Sequence, residues 1–438
     1  KLRKVRSQPN EEEGMSSVKA SPFPPAEYDA SFGANGKLLL GFNGVHAGWA
    51  SNIVECKTLK QHYLATIEGY HTTSVPNIGG IARFDQSGNL DTSFGNQGTG
   101  ILEFRFGQSD GYCNFTGIEE CDDGSIFVWG SYERYADNVL FYIISKIAPD
   151  GTTDESFGSN GHCRLDLIAS VPLNLPSYEC VVINSDGSLN VACRRPSGSS
   201  GSPLIIKITP EGLLDKKFQK EGFLEVTFGG PGSTSLSGII HKDSLSEGIL
   251  AYGIFIENGK TFGFLKMFTR GGVVDSGFGT NGVAVIPSQQ EIYVDSLFAS
   301  PDGEQLIAAG MGGVISNLNS FLWKYDLKGN PDPGFNEGQP VTHDFGTRAD
   351  MWVSAMQRDD GKVIAIGSGN SLEDWTVIGR FLVNGQPDDT YGGELHFCTP
   401  PYATEFPAGG TSMLITGPQQ VLFAGRYNGI PAVFAVKV

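Results

Sequence analysis

Seven aspartates at nearly even spacing are the residues whose type and pattern first suggest chemistry. Each opens an exact or diverged copy of Asp-x-Ser-Phe-Gly-x-x-Gly, and successive copies begin 62, 63, 61, 60, 57 and 56 residues apart. The seven are Asp29, Asp91, Asp154, Asp215, Asp275, Asp332 and Asp388. The segment Asp85–Asp91 imitates the oxygen-rich loops that bind calcium, but the equivalent segments Pro149–Asp154 and Arg270–Asp275 lack its first carboxylate. We therefore interpret the motif as a turn in which aspartate accepts hydrogen bonds from the backbone that follows.

A basic residue recurs at a fixed distance before these aspartates. The distance is 8 residues in five copies, as from Arg83 to Asp91, and 9 from Lys266 to Asp275. This spacing favours an ion pair, because partly buried charges are seldom left unpaired; solvent exposure of the basic residue is the alternative. Lys437 has no aspartate after it and Asp29 no basic residue before it, so we expect these two to pair across the chain ends.

Other catalytic or metal-binding patterns are missing from the sequence. It contains no nucleophile elbow, zinc-protease motif, phosphate loop or dinucleotide fingerprint. Its 7 cysteines include no C-x-x-C pair, so we expect no metal site, no cofactor and no catalytic residues. Cys180 and Cys193 are placed to face each other across a hairpin, with buried reduced thiols as the alternative.

The elements that position the seven corners are short strands. Each unit has apolar runs bounded by Gly, Asp, Asn and Pro, which are typical of β-strands, and Asp-Gly hairpin signals between them. Four strands per unit, here a to d, repeated seven times predict an all-β fold, a seven-bladed β-propeller with four antiparallel strands per blade. The first corner lacks strands a to c and the last unit lacks strand d. Strand 37–42 should therefore join the C-terminal blade and close the ring.

The predicted domain organisation follows from the repeat. Residues 1–27 form an N-terminal arm and residues 28–438 a single propeller. The blades span approximately 51–106, 107–168, 169–228, 229–287, 288–345 and 346–398, and the last combines 403–438 with 36–42. The seven corner aromatics, each the only large apolar residue of its turn, should be buried between blades.

The repeat resembles the delta-60 repeat family. The residues that carry the resemblance are Gly88-Asn89-Leu90-Asp91-Thr92-Ser93-Phe94-Gly95 and the six related segments, over about residues 28–438. The fourth copy departs from the pattern at Lys216-Lys217 and Gln219, and the third unit at Cys193. The resemblance implies a bacterial propeller of recognition or unknown role, with no shared catalytic residues.

Charge and hydropathy restrict the partners. The net charge of −17 argues against nucleic acid, since phosphate contacts need clustered Lys and Arg. No apolar stretch is long enough to span a membrane. No signal peptide is visible, so we expect a cytoplasmic protein or one exported by a non-classical route.

Function is expected on the face that carries the variable loops. In a propeller the d-to-a and b-to-c loops share one face, and here these vary while the repeated turns occupy the other. Tyr, Trp and Arg are common anchors of recognition surfaces, and inter-blade packing is the alternative for each. We predict a non-enzymatic protein that binds a glycan or protein; the alternatives are a propeller hydrolase or lactonase, and a structural ring within a larger assembly or toxin. The predicted contact residues are Trp49, Tyr112, Tyr135, Trp352 and Tyr402.

Overall fold

The fold is that of a computed structural model of all 438 residues. The structure describes residues 24–41, 47–70, 79–95, 98–107, 111–134, 136–137, 139–168, 181–195, 202–228, 233–241, 248–286, 291–314, 316–346, 349–369, 375–392, 397–399, 404–405 and 412–438. Cys180, Tyr135 and Tyr402 lie outside these ranges, so the predictions for them stay untested.

The strands form seven antiparallel sheets, as the repeat predicts. Blade 1 contains β2 (Ala47–Glu55), β3 (His62–Tyr70), β4 (Gly79–Asp85) and β5 (Ile101–Phe104). Blade 2 contains β6 (Gly111–Glu120), β7 (Ile126–Arg134), β8 (Val139–Ile147) and β9 (His162–Arg164), followed by α1 (Leu165–Ile168). Blade 3 contains β10 (Val181–Ile183), β11 (Leu189–Arg195), β12 (Ser202–Ile208) and β13 (Phe223–Glu225).

The remaining blades repeat this order. Blade 4 contains β14 (Thr234–His241), β15 (Ile249–Glu257), β16 (Lys260–Phe268) and β17 (Val283–Val285). Blade 5 contains β18 (Glu291–Ala299), β19 (Gln305–Val314), β20 (Asn317–Asp326) and β21 (Val341–His343). Blade 6 contains β22 (Met351–Gln357), β23 (Val363–Gly369), β24 (Trp375–Phe381) and β25 (Phe397–Cys398). Blade 7 contains β26 (Thr404–Glu405), β27 (Met413–Gly417), β28 (Gln420–Tyr427), β29 (Ile430–Lys437) and β1 (Lys37–Leu39).

The N-terminal strand closes the ring, which confirms the predicted seam. β1 pairs antiparallel with β29, with Leu38 opposite Val433. The a strands of neighbouring blades contact each other, as β2 does β6 and β18 does β22, so the a strands lie nearest the axis. With β1 in place, the outer edge of β29 is covered rather than exposed for pairing with another chain.

The corner aromatics are buried between blades, as predicted. None is more than 8% exposed; the seven are Phe32, Phe94, Phe157, Phe218, Phe278, Phe335 and Tyr391. Each belongs to a different hydrophobic cluster built from two neighbouring blades. Phe157 of blade 2, for example, packs with Leu189 and Leu204 of blade 3. The repeated motif therefore stabilises the junctions between blades.

A backbone hydrogen bond accompanies this packing. The residue after the aromatic donates its amide to a carbonyl in the c-to-d hairpin of the next blade. The four bonds are Gly33 to Ser87 at 2.7 Å, Gly158 to Glu211 at 2.7 Å, Gly279 to Lys328 at 2.6 Å and Asn336 to Asn384 at 2.8 Å. In the divergent fourth copy, Gln219 keeps the left-handed backbone with φ of 48°, and its side-chain amide donates to the carbonyl of Gly271 at 2.7 Å.

A glycine recurs within strand b of several blades, and the fold gives a physical reason for it. In several blades strand a carries a β-bulge opposite this glycine, as between Phe115 and Gly117 opposite Gly130. A methyl group on Gly130 would lie 1.9 Å from the carbonyl oxygen of Asn114. A methyl group added to Gly253, Gly310 or Gly367 would likewise lie 2.0–2.2 Å from a carbonyl oxygen of strand a in the same blade. The bulge therefore requires glycine at this position.

The predicted basic–acidic pairs form in four blades. The nitrogen–oxygen distances are 2.8 Å for Arg83–Asp91, 3.1 Å for Lys146–Asp154, 3.8 Å for Lys324–Asp332 and 2.9 Å for Arg380–Asp388. In these blades the aspartate amide also donates to the carbonyl of the basic residue.

The prediction of an ion pair between Lys437 and Asp29 is wrong. The Asp29 amide donates to the carbonyl of Ala435, so Ala435 holds the position that is basic elsewhere. Lys437 pairs with Glu27 instead, and Asp29 accepts a hydrogen bond from Gln420 at 2.6 Å.

The predicted ion pair between Lys266 and Asp275 does not form either. The amide of Asp275 donates to Met267 rather than to Lys266. Because strand neighbours point to opposite faces, Lys266 turns away from Asp275. Its ammonium lies 4.6 Å from the ring centroid of Phe228.

Candidate functional site

Trp352 and Trp49 take different positions at the variable face. Trp352 is fully buried, and its ring packs against Phe345 and Phe397 with centroids 4.9 Å and 5.9 Å away. Without exposed surface, Trp352 cannot contact a ligand, so it acts in packing. Trp49 is partly exposed, and the guanidinium carbon of Arg426 lies 3.9 Å from its ring centroid. One face of this indole is therefore already covered.

Tyr112 begins a row of side chains across the variable-face end of blade 2. It lies opposite Glu133, and Glu133 lies opposite Leu140. Directly paired residues of antiparallel strands point to the same side of the sheet. Tyr112 is 38% exposed and Leu140 44% exposed. The row therefore presents an aromatic and an aliphatic side chain to solvent on one surface.

The row continues outward onto α1, which packs against β8. Leu167 in α1 is 65% exposed. Val139, the strand neighbour of Leu140, is 39% exposed but points to the opposite face of the sheet. We call Tyr112, Leu140 and Leu167 the blade 2 patch. Isolated exposed apolar residues need no explanation, but a group at one blade end is typical of an interaction surface.

Two arginines stack on one ring on the opposite face of blade 2. The guanidinium carbon of Arg164 lies 4.0 Å from the ring centroid of Phe141, and that of Arg134 lies 5.2 Å away. Each arginine also pairs with a nearby carboxylate, Arg164 with Asp166 at 2.6 Å and Arg134 with Asp137 at 2.5 Å. Because Arg134 is paired directly with Val139, these guanidinium groups lie on the face of the sheet away from the blade 2 patch.

The aliphatic members of the patch were not among the sequence-predicted residues. That prediction favoured aromatic residues in loops, whereas Leu140 lies near the start of a strand. The signal in the sequence is the run Val139-Leu140-Phe141-Tyr142 directly after the short b-to-c loop, which is more apolar than one buried face of a strand requires.

Two half-buried acidic residues with raised pKa values were also missed. Burial raises the pKa of Glu68 to about 7, although its carboxylate accepts hydrogen bonds from the Phe115 amide at 3.0 Å and the Ser51 hydroxyl at 3.2 Å. Burial alone raises the pKa of Asp295 to about 7. Asp295 is the bulge residue of β18, and its Oδ2 has no hydrogen-bond partner among the described residues.

These carboxyl groups do not form an acid–base pair. Glu68 belongs to blade 1 and Asp295 to blade 5, and no acidic or basic side chain contributes to either pKa shift. Glycoside and related hydrolases place two carboxyl groups on either side of the scissile bond. Within the described ranges, no three His, Cys, Asp or Glu side chains are grouped so that they could hold a metal ion.

The opposite face, which carries the repeated turns, has a cleft of about 830 Å³ lined by residues of blades 1 to 4. Its wall includes charged side chains that already pair with one another. Lys57 pairs with Glu119 at 2.8 Å, and Arg270 with the wall residue Asp186. The cleft is therefore held by ion pairs between blades.

Comparison with known proteins adds to the fold only. No family model matches the chain, and no curated protein matches it in sequence. Among solved structures, it is similar to the β-propeller domain of the Trilobed protease from Pyrococcus furiosus, at 11% identity and a TM-score of 0.43 over 88% of this chain and 93% of that one. Drosophila Semaphorin 2a matches at 8% identity and a TM-score of 0.48 over 91% and 76% of the two chains.

A third similar structure is Chaetomium thermophilum Sqt1 bound to the N-terminus of the ribosomal protein L10. It matches at 10% identity and a TM-score of 0.38 over 91% of this chain and 99% of that one. At such identities the likeness concerns the propeller fold alone. The described part of the chain contains no helix with the length and hydropathy to cross a bilayer.

Proposed function

We propose that this propeller is a non-enzymatic recognition protein that binds a partner protein through the blade 2 patch. The propeller fold supports a binding or scaffold role. The observation that carries the proposal is the exposed row from Tyr112 to Leu140, continued by Leu167. Tyrosine is enriched in binding hot spots, and a group of exposed apolar side chains is typical of an interaction surface.

The chemistry of the patch favours a protein over a glycan. Sugar rings stack on flat aromatic faces and require many hydrogen-bonding groups, whereas Leu140 and Leu167 offer only aliphatic surface. A glycan is the second candidate because Tyr112 is exposed and Trp49 is partly exposed. Arg134 and Arg164 on the other face of the blade pair with Asp137 and Asp166, so they do not attract polyanions by net charge.

The proposal is tested by a glycan array run beside affinity capture and mass spectrometry, with wild type and two variants as baits. Leu140→Asp places a charge in the patch. Val383→Asp places the same charge on an exposed aliphatic residue of the c-to-d hairpin of blade 6. A partner retained by wild type and Val383→Asp but lost with Leu140→Asp supports the proposal. A partner lost only with Val383→Asp, or a glycan bound equally by all three proteins, contradicts it.

A further inference from the structure

We infer that the outer edge of β17 in blade 4 is a docking site for an extended segment of a partner protein, which adds to the blade as a fifth strand. This surface is on the outer rim, away from the blade 2 patch, and does not depend on it. The inference starts from Val285, the last residue of β17.

The backbone of Val285 points outward. The Ile286 amide donates to the carbonyl of Gly263 in β16 at 3.0 Å. Because inward and outward groups alternate along an antiparallel edge strand, Val285 presents its amide and carbonyl to the outside. Among the described residues, no backbone group beyond the sheet accepts a hydrogen bond from the Val285 amide or donates one to its carbonyl.

The equivalent residue of blade 6 shows what such an edge accepts. The two blades are aligned on the strand c residue whose carbonyl accepts a hydrogen bond from the corner aspartate, which is Arg380 in blade 6 and Met267 in blade 4. Two residues before it lie Ile378, which is opposite Cys398, and Leu265, which is opposite Ala284. Thr399 is thus the counterpart of Val285. Its amide donates to the Pro24 carbonyl at 2.9 Å and its carbonyl accepts from the Ala26 amide at 2.7 Å. In blade 6 an extended segment therefore pairs in parallel orientation with the outer edge of strand d at this position.

The side chain at this position distinguishes blade 4 from blades 1, 2, 3, 5 and 6. Their counterparts are charged or polar, namely Glu103, Arg164, Glu225, Thr342 and Thr399, whereas blade 7 has the apolar Leu39. Charged side chains protect sheet edges from pairing with other chains. Val285 gives no such protection and is 42% exposed.

Space and a hydrogen-bonding group for the segment lie beside this edge. A groove of about 560 Å³ runs along β17, between the corner of blade 4 and the Gly329–Pro331 hairpin of blade 5. Tyr325 lines it and is almost fully buried, yet its hydroxyl has no hydrogen-bond partner among the described residues. Buried tyrosine hydroxyls usually have a partner, and a carbonyl of the docked segment would supply one. The fitting partner is therefore an extended segment with apolar side chains at alternate positions.

The test uses a display library of random linear peptides selected on the full-length protein, with affinities measured by fluorescence anisotropy. Selected peptides should show alternating apolar residues. Val285→Lys should weaken their binding at least about tenfold by removing apolar contact and adding edge protection. Tyr325→Phe should weaken it about three- to tenfold by removing one hydrogen bond. Thr342→Lys, the matched change in blade 5, should leave affinity unchanged.

Amide hydrogen exchange gives a readout specific to strand addition. The Val285 amide should exchange rapidly in the unbound protein and slow on addition of a selected peptide, because it then donates to the peptide. Peptides that bind Val285→Lys as tightly as wild type would overturn the inference, as would failure to select any. Self-association of the wild type that Val285→Lys abolishes would also overturn it, since a second copy would then occupy the edge.

Discussion

The amide of Asp29 donates to the carbonyl of Ala435 at 2.9 Å, so residues more than 400 positions apart form the same corner that a single hairpin forms in other blades. The bond belongs to the junction at which β1 joins β29. The completeness of the ring thus depends on the N-terminal segment rather than on the repeats alone.

Deletion of residues 1–42 should therefore expose the outer edge of β29. We expect this variant to aggregate, because an unpaired strand edge pairs with other chains. Light scattering after gel filtration measures the effect. Deletion of residues 1–20 is the control and should leave a monodisperse protein. Equal behaviour of the two deletions would contradict the role of β1.

Phe157→Ala tests the corner aromatic. Phe157 is fully buried and packs with residues of blade 3, so truncation should lower the free energy of unfolding by about 3–5 kcal/mol. Denaturant unfolding followed by tryptophan fluorescence measures the loss. Val273→Ala, at an exposed hairpin position, should change stability by less than about 0.5 kcal/mol. A Phe157→Ala protein as stable as the control would show that the motif does not stabilise the blade junction.

Gly130→Ala tests the glycine opposite the bulge. Its new methyl group would lie 1.9 Å from the Asn114 carbonyl oxygen, so we expect a loss of about 1–3 kcal/mol from forced backbone shifts. Gly417→Ala is the matched control, because no atom lies within 4 Å of its added carbon. Thermal unfolding compares the two. If both variants melt together, the bulge does not impose the glycine.

The raised pKa of Asp295 predicts a pH dependence of stability. Its carboxyl has an ordinary pKa of 3.8 in the unfolded chain but about 7 in the folded protein. Between these values the folded state binds more protons, so the free energy of unfolding falls as pH rises and levels off above about pH 7. Asp295→Asn cannot ionise and should show a shallower fall between pH 4 and 7. A variant with the same slope as the wild type would show that Asp295 ionises normally.

The sequence predicted the ring because its signals are local. The corner motif contains both the turn-forming aspartate and the only large apolar residue nearby, so burial of Phe94 or Phe278 follows from the motif itself. The seam followed from complementary missing strands. The predicted Lys437–Asp29 ion pair was wrong because Asp29 and Lys437 are at opposite ends of the chain, so their register cannot be counted along the sequence. The structure pairs Asp29 with Ala435, two residues before Lys437.

Less of the candidate site than of the fold could be predicted from the sequence. Whether a loop aromatic is exposed depends on neighbouring blades, which is why Trp352 is buried beside Phe345 while Tyr112 is not. The buried state of Asp295 depends on a bulge opposite Gly310, and no local pattern encodes that pairing. The blade 2 patch combines β6, β8 and α1, elements that only the fold brings together.

The most direct test of recognition through the variable face is titration calorimetry of the captured partner against alanine variants. Tyr112→Ala and Leu140→Ala remove exposed side chains of the blade 2 patch, and Val383→Ala removes an exposed side chain from the c-to-d hairpin of blade 6. We expect at least one patch variant to lose about 2 kcal/mol of binding free energy, with an unchanged melting temperature, while Val383→Ala binds as wild type does. Full affinity of both patch variants together with loss of binding in Val383→Ala would contradict the account and place recognition on the face of the repeated turns.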